Sequence, residues 1–271
     1  MYNISMARKS KTADRKIFII GDVHGEYHGF AAALISSKLM SPELKWTGKK
    51  NILVQIGDII DRGYYPMQID KLLDVLQTEA KKAGGKVVRL VGNHELEILK
   101  KNYSITSLPY FQIESFRNKL IRQITDGTLQ VAYAAKGYLI THAGICNNLY
   151  EIFKKELPRI TPSTLAAHIN EIFKKAVAED NYNHPIFNIS FMRGGDSKYG
   201  GIFWEDLRSL IENYKEVPFN QILGHTRIME NFRTKDGKIT AIDIGLLKVL
   251  EGEYSYPVIN KDKKLTFKKV A

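Results

Sequence analysis

The chain has 271 residues, 44% of them apolar and 25% charged, a balance that excludes intrinsic disorder as its main state. Forty Lys and Arg against 29 Asp and Glu leave a net charge of +11, which favours an anionic partner (nucleic acid, phosphorylated substrate or acidic lipid) without choosing among them. The one cysteine, Cys146, excludes a disulfide framework and a cysteine zinc finger. No apolar run reaches the ~18 residues of a membrane span. The opening segment MYNISMARKSKTADRK lacks the apolar stretch of a secretory signal, so a cytoplasmic protein without membrane attachment is expected.

Residues 1–15 read as a loose basic arm, and residues 16–271 as one domain. KIFII (16–20), ending at Gly21, and NILVQI (51–56), ending at Gly57, are short apolar runs of the kind that form buried strands. Residues 66–82 place Ile69, Leu72, Leu73 and Leu76 on one helical face, with Pro66 at the start and Gly84-Gly85 as a stop. KVVRLV (86–91) ends at Gly92, and GYLIT (137–141) ends at His142. The stretch 147–218 reads as a mostly helical insertion or cap, with helices over 149–156 and 164–178 and then a Gly- and aromatic-rich loop leaning over the site. FNQIL (219–223) ends at Gly224 and KITAIDI (238–244) at Gly245. Strands alternating with helices predict an α/β fold with helices on both sides of the sheet structure.

Chemistry-bearing residues follow the strands. GDVHG supplies Asp22 and His24, and GDIIDRG supplies Asp58, Asp61 and Arg62. GNHE supplies Asn93, His94 and Glu95, HAG supplies His142, and GHTR supplies His225 and Arg227. Each taken alone is an ordinary turn. Together they put four of the seven histidines directly after strand-like runs, and the carboxyl ends of strands are where α/β sheets bind ligands. Two Asp, three His and one Asn form a mixed oxygen and nitrogen donor set for two divalent ions, with a bridging carboxylate able to hold them ~3.5–4 Å apart. Imidazole with carboxylate suits Mn, Fe, Zn or Co better than Ca or Mg.

In this order, GDVHG, GDIIDRG, GNHE, HAG and GHT resemble the phosphoprotein-phosphatase (PPP) family of calcineurin-like metallophosphoesterases over residues 17–246. HAG replaces the more usual HGG, and IDIGL (242–246) is similar to the IDTG segment of bacterial members, the branch of Shewanella-like phosphatases and diadenosine tetraphosphatases. The resemblance implies an αββα sandwich. It implies one metal held by Asp22, His24 and Asp58 and a second held by Asp58, Asn93, His142 and His225. Mn is the first choice for both, with Fe, Zn, Co or Ni as alternatives. The implied reaction is direct attack on phosphorus by a hydroxide made available by the two cations. Arg62 would fork onto the phosphate oxygens beside Asn93, and His94, paired with Asp61, would protonate the leaving oxygen. FMRGGD (191–196) resembles a W-x-R-G segment of some bacterial members and makes Arg193 a second phosphate ligand, with Arg208 and Arg227 as competitors. Tyr199, Phe203 and Trp204 are candidates for a wall beside the substrate or for ordinary packing.

The expected activity is hydrolysis of phosphomonoesters on phosphoserine and phosphothreonine proteins. The alternative is cleavage of phosphoanhydrides in nucleotides such as dinucleoside polyphosphates. A basic nucleic-acid-binding module is a third class, but the chain shows no helix-turn-helix, zinc finger or RNP-like aromatic motif.

Overall fold

The computed structural model describes residues 15–270, so the arm expected over 1–15 lies outside the described residues apart from Arg15. In chain order the elements are β1 (Ile17–Ile20), α1 (Tyr27–Ser36), β2 (Ile52–Gln55), α2 (Pro66–Lys82), β3 (Lys86–Leu90) and α3 (Asn93–Leu99). Then come α4 (Tyr110–Thr125), β4 (Leu129–Gln130), β5 (Ala132–Ala135), β6 (Tyr138–Thr141), α5 (Asn147–Glu156) and α6 (Pro162–Glu179). The last part holds α7 (Leu207–Glu212), β7 (Asn220–Leu223), β8 (Phe232–Arg233), β9 (Ile239–Ala241), α8 (Leu247–Leu250), β10 (Ser255–Ile259) and β11 (Leu265–Lys269).

Two sheets form, one ordered β11-β10-β1-β2-β3-β4 and the other β5-β6-β7-β9-β8. β1, β2 and β3 run parallel, with Ile17 opposite Ile52 and Ile52 opposite Lys86. β6, β7 and β9 are also parallel, so each sheet gathers several carboxyl ends on one edge.

Side-chain alternation explains why these strands read as unbroken apolar runs. Ile17, Ile19, Ile52, Val54 and Val88 meet Tyr138, Ile140 and Ile222 in a core between the sheets. Their neighbours Phe18, Ile20, Leu53 and Val87 face away and pack with helical residues such as Phe30, Leu34, Leu72 and Leu76. On the other sheet Leu139, Leu223 and Ile239 belong to that same helix-facing cluster, with Phe153, Ile169 and Phe173. A strand apolar on both faces needs cover on both sides, and the result is an αββα sandwich.

The helices of the 147–218 segment supply the outer layer of the second sheet, with α6 against β5 and β6 and touching α4. The loop that follows, not the helices, reaches the strand ends. Phe203 is fully buried and stacks on Phe187 with centroids 5.8 Å apart, so it belongs to the core of this segment rather than to a substrate wall.

Candidate metal centre

The loops after β1, β2 and β3 and those after β6 and β7 meet at one end of the sandwich. Asp22, His24, Asp58 and Asn93 come from the first sheet and His142 and His225 from the second, and all six are buried. Asp58 sits at the middle. Its Oδ2 lies 3.5 Å from His24 Nε2, 3.5 Å from His142 Nε2 and 4.0 Å from His94 Nε2. Asn93 Oδ1 lies 2.9 Å from both His142 Nε2 and His225 Nδ1. Two groups, His24–Asp58–His94 and Asp58–His142–His225, are each close enough to surround one ion, and Asp58 is common to both. Asp22 stands behind, its carboxylate accepting the His225 backbone N–H at 3.1 and 3.2 Å.

Local backbone makes this convergence possible. His24, Asp58, Asp61, Arg62 and His225 all have φ between +45° and +66°, a left-handed conformation costly for residues with a Cβ. The strain is held by hydrogen bonds, with the Val23 and His24 N–H groups donating to the Asp58 carbonyl. Glu95 fixes the other side, accepting N–H bonds from Asp58, Ile59 and Gly92, each at 2.8 Å. Gly92 leaves the room: a Cβ there would lie 2.1 Å from Asp58 Oδ1.

Hydrogen bonding decides whether these residues suit cations. The Nδ1–H groups of His24 and His142 donate to the carbonyls of Ile60 and Ile56, both at 3.0 Å. Burial holds His24 down at about 4 and His142 below its ordinary range, so both rings are neutral and Nε2 carries a lone pair. Each lone pair points towards the Asp58 carboxylate, acceptor facing acceptor. His24 Nε2 and His225 Nε2 are buried with no hydrogen-bond partner. Donated Nδ1–H with a free Nε2 is the arrangement of metal-binding histidines. For Asp22, burial and then the charges of Asp243 and Asp58 push the carboxyl well up. Neutral imidazoles and crowded carboxylates thus fit divalent cations, with His24 and Asp58 on one side, Asp58, His142 and His225 beside Asn93 on the other, and Asp22 behind them.

His94 differs from the other rings. Its Nδ1 meets Asp61 Oδ2 at 2.6 Å. Burial opposes its protonation, but the charge of Asp58 and the bond to Asp61 outweigh that and raise it to about 9. Asp61 is held in turn by Thr106 Oγ1 at 2.8 Å and the Ser107 N–H at 2.7 Å.

The arginines flank the centre unequally. Arg62 is exposed at its edge, and its charge is felt by Asp22, His24 and Asp243. Arg193 forms an ion pair with Asp206, Nε to Oδ2 3.0 Å, and donates from Nη2 to Thr226 Oγ1 at 2.5 Å, next to His225. Its side chain is 25% exposed, against 74% for Arg208 and 51% for Arg227, whose guanidinium turns to Asp243. Trp204 packs edge-on against the His225 ring at 5.6 Å.

Sequence reasoning passed over Asp243. It is 1% exposed, its Oδ2 has no hydrogen-bond partner, and burial raises its carboxyl against the opposing charges of Arg227 and Arg62. The signal was a carboxylate inside the sixth apolar run, KITAIDI, in the IDIGL segment and two residues past the end of β9.

Residues 15–231 match the calcineurin-like phosphoesterase family. The chain is 34% identical over 101 residues to Shewanella-like protein phosphatase 2 of Arabidopsis thaliana, covering 36% of this chain and 26% of that one. It is 42% identical over 80 residues to Shewanella-like protein phosphatase 1 of Plasmodium berghei, covering 30% and 22%. The match therefore spans about a quarter of each of these relatives. Among solved structures, the cold-active protein-tyrosine phosphatase of a psychrophilic Shewanella species superposes with a TM-score of 0.65 at 18% identity, covering 97% of this chain and 85% of that one. A serine/threonine phosphatase from Saccharomyces cerevisiae superposes at 0.58 with 15% identity, covering 96% and 81%. These two show a shared fold. With four-fifths of its length inside the family match, the chain belongs to the calcineurin-like phosphoesterases and is a hydrolase of the metallophosphoesterase class.

Proposed function

We propose that the protein is a dinuclear phosphatase of the PPP type that hydrolyses phosphomonoesters on phosphoserine and phosphothreonine proteins. The observation that carries this reading is a proton donor beside a cation socket: His94 sits against Asp61 at 2.6 Å and faces Asp58 Oδ2 at 4.0 Å. When bound, the two divalent ions, Mn first, would neutralise the phosphate oxygens and lower the pKa of a water. Arg62, after β2, and Arg193, from the loop between α6 and α7, hold the phosphoryl group. Asp61, fixed by Thr106 and Ser107, keeps the His94 ring oriented and protonated. His94 gives its proton to the leaving alkoxide, which a serine or threonine ester needs because alkoxides are poor leaving groups. The names of the two relatives, both protein phosphatases, support a protein substrate.

The test is a substrate panel at matched Mn. Phosphoserine and phosphothreonine peptides should be turned over faster than a dinucleoside polyphosphate, and chelation should abolish both activities. Cleavage of the anhydride alone would replace this reading by the nucleotide one. Hydrolysis of phosphotyrosine peptides alone would keep the chemistry and change the substrate.

A further inference from the structure

Between the loop that carries Arg62 and the start of α4 lies a cavity of about 600 Å3. Arg62 forms the wall shared with the metal centre. On the inner side stands Ser107, whose N–H and hydroxyl both bond Asp61, the partner of His94. The cavity therefore opens beside the group assigned to protonate the leaving oxygen, where the body of the substrate must be.

Its chemistry is one-sided. Arg62 and Lys71 bring positive charge, Gln68 and Gln112 bring amides, Met67 and Leu108 give it an apolar side, and none of the eleven lining residues is Asp or Glu. A second cavity of similar size, about 610 Å3, lies between α2, α4 and the start of β3, at the opposite end of the strands. There Lys81 and Lys86 share the lining with Asp74 and Asp126. The unbalanced charge is thus local to the cavity that adjoins the reaction centre, and is more than the reflection of a basic chain.

We infer that this cavity is a specificity subsite that takes an acidic side chain flanking the phosphorylated residue of a peptide substrate. The inference rests on the protein-phosphatase reading above. With Arg62 on the phosphoryl group, the Lys71 ammonium and the amides of Gln68 and Gln112 suit a carboxylate, and the apolar side suits the methylenes of a glutamate. Lys71, exposed at the rim, adds attraction that salt screens.

The test compares two phosphoserine peptides, alike except that glutamates or alanines flank the phosphoserine, in the Mn-loaded full chain. The readout is the ratio of their kcat/KM values, so any general effect on turnover cancels. Wild type should favour the acidic peptide by about 2- to 5-fold, the scale of one partly exposed charge pair. Lys71→Glu and Gln68→Glu should each bring the ratio to one or below. Lys82→Glu, the same charge change at the far end of α2, should keep it. A wild-type ratio of one, or an equal fall in Lys71→Glu and Lys82→Glu, overturns the subsite. p-Nitrophenyl phosphate run in parallel separates the two levels: its turnover without a flank preference removes only the subsite. A protein that hydrolyses neither peptide nor p-nitrophenyl phosphate removes the phosphatase reading with it.

Discussion

At Asp58 every polar atom is engaged. Its N–H goes to Glu95, its carbonyl takes the N–H groups of Val23 and His24, Oδ1 takes the His94 N–H at 3.0 Å, and Oδ2 faces three imidazoles. Asp22 touches the centre from one side only. Asp58→Asn should therefore lose far more Mn than Asp22→Asn, and elemental analysis of the two variants after equilibrium dialysis checks this; equal metal content would deny Asp58 the bridge. His94→Asn should keep its metal and slow a phosphoserine peptide by ~10²–10⁴-fold. p-Nitrophenyl phosphate, with its more acidic leaving group, should slow less. Equal slowing would make His94 a binding residue. Asp243→Asn preserves shape and removes a buried negative charge, so Mn affinity should fall by about 10- to 100-fold, as when outer carboxylates of metal sites are removed. Calorimetric titration with Mn measures it, and unchanged affinity would leave Asp243 a partner of Arg227 alone.

At the scale of elements, Glu95 at the start of α3 ties that helix to the turn after β2. Glu95→Ala would leave three buried N–H groups without an acceptor, at about 1–3 kcal/mol each. A lower melting temperature and reduced Mn content should appear together, and Mn retention at wild-type level would break the link between this tie and the site. Much at this scale was legible. The residues expected for α2 are those observed, and five of the apolar runs became strands within a residue or two of their expected ends. In the sixth, KITAIDI, only Ile239–Ala241 pairs in the sheet. The convergence of the candidate ligands was legible because they follow strands, which apolar runs betray. α1 escaped notice because YHGFAAALIS has apolar residues almost all round and little periodic contrast. β10 and β11 escaped because SYPVI carries a proline and LTFKK is an exposed edge with lysines, which reads as surface. Arg193 was proposed by likeness alone. Its place depends on Asp206 and Thr226, which meet it only through tertiary contact.

Over the whole molecule, three buried carboxylates, Asp22, Asp58 and Asp243, crowd one end of the sandwich. Ions that bind there bind the folded chain, so metal should stabilise it. Mn at about 100 times its dissociation constant would contribute about 2.7 kcal/mol. For a chain of this size that is roughly 5–10 °C in melting temperature. Thermal melts in Mn and in chelator measure the difference, and coincident melts would count against metal binding at this centre.

The two sheets share no hydrogen-bonded strand pair among the described residues, yet the centre draws donors from both. Beside the bonds from His142 to Ile56 and from His225 to Asp22, their alignment rests on the layer of branched side chains between them, Ile17, Ile19 and Val54 on one face and Ile140 and Ile222 on the other. One residue of slip along a strand is about 3.3 Å, nearly the ~3.5–4 Å that separates the ions in two-metal hydrolases. The buried aliphatic layer is thus the gauge block of the chemistry. Its tolerance is a fraction of one residue, and the shape of a side chain far from any substrate sets whether both halves of the donor set come into focus at once.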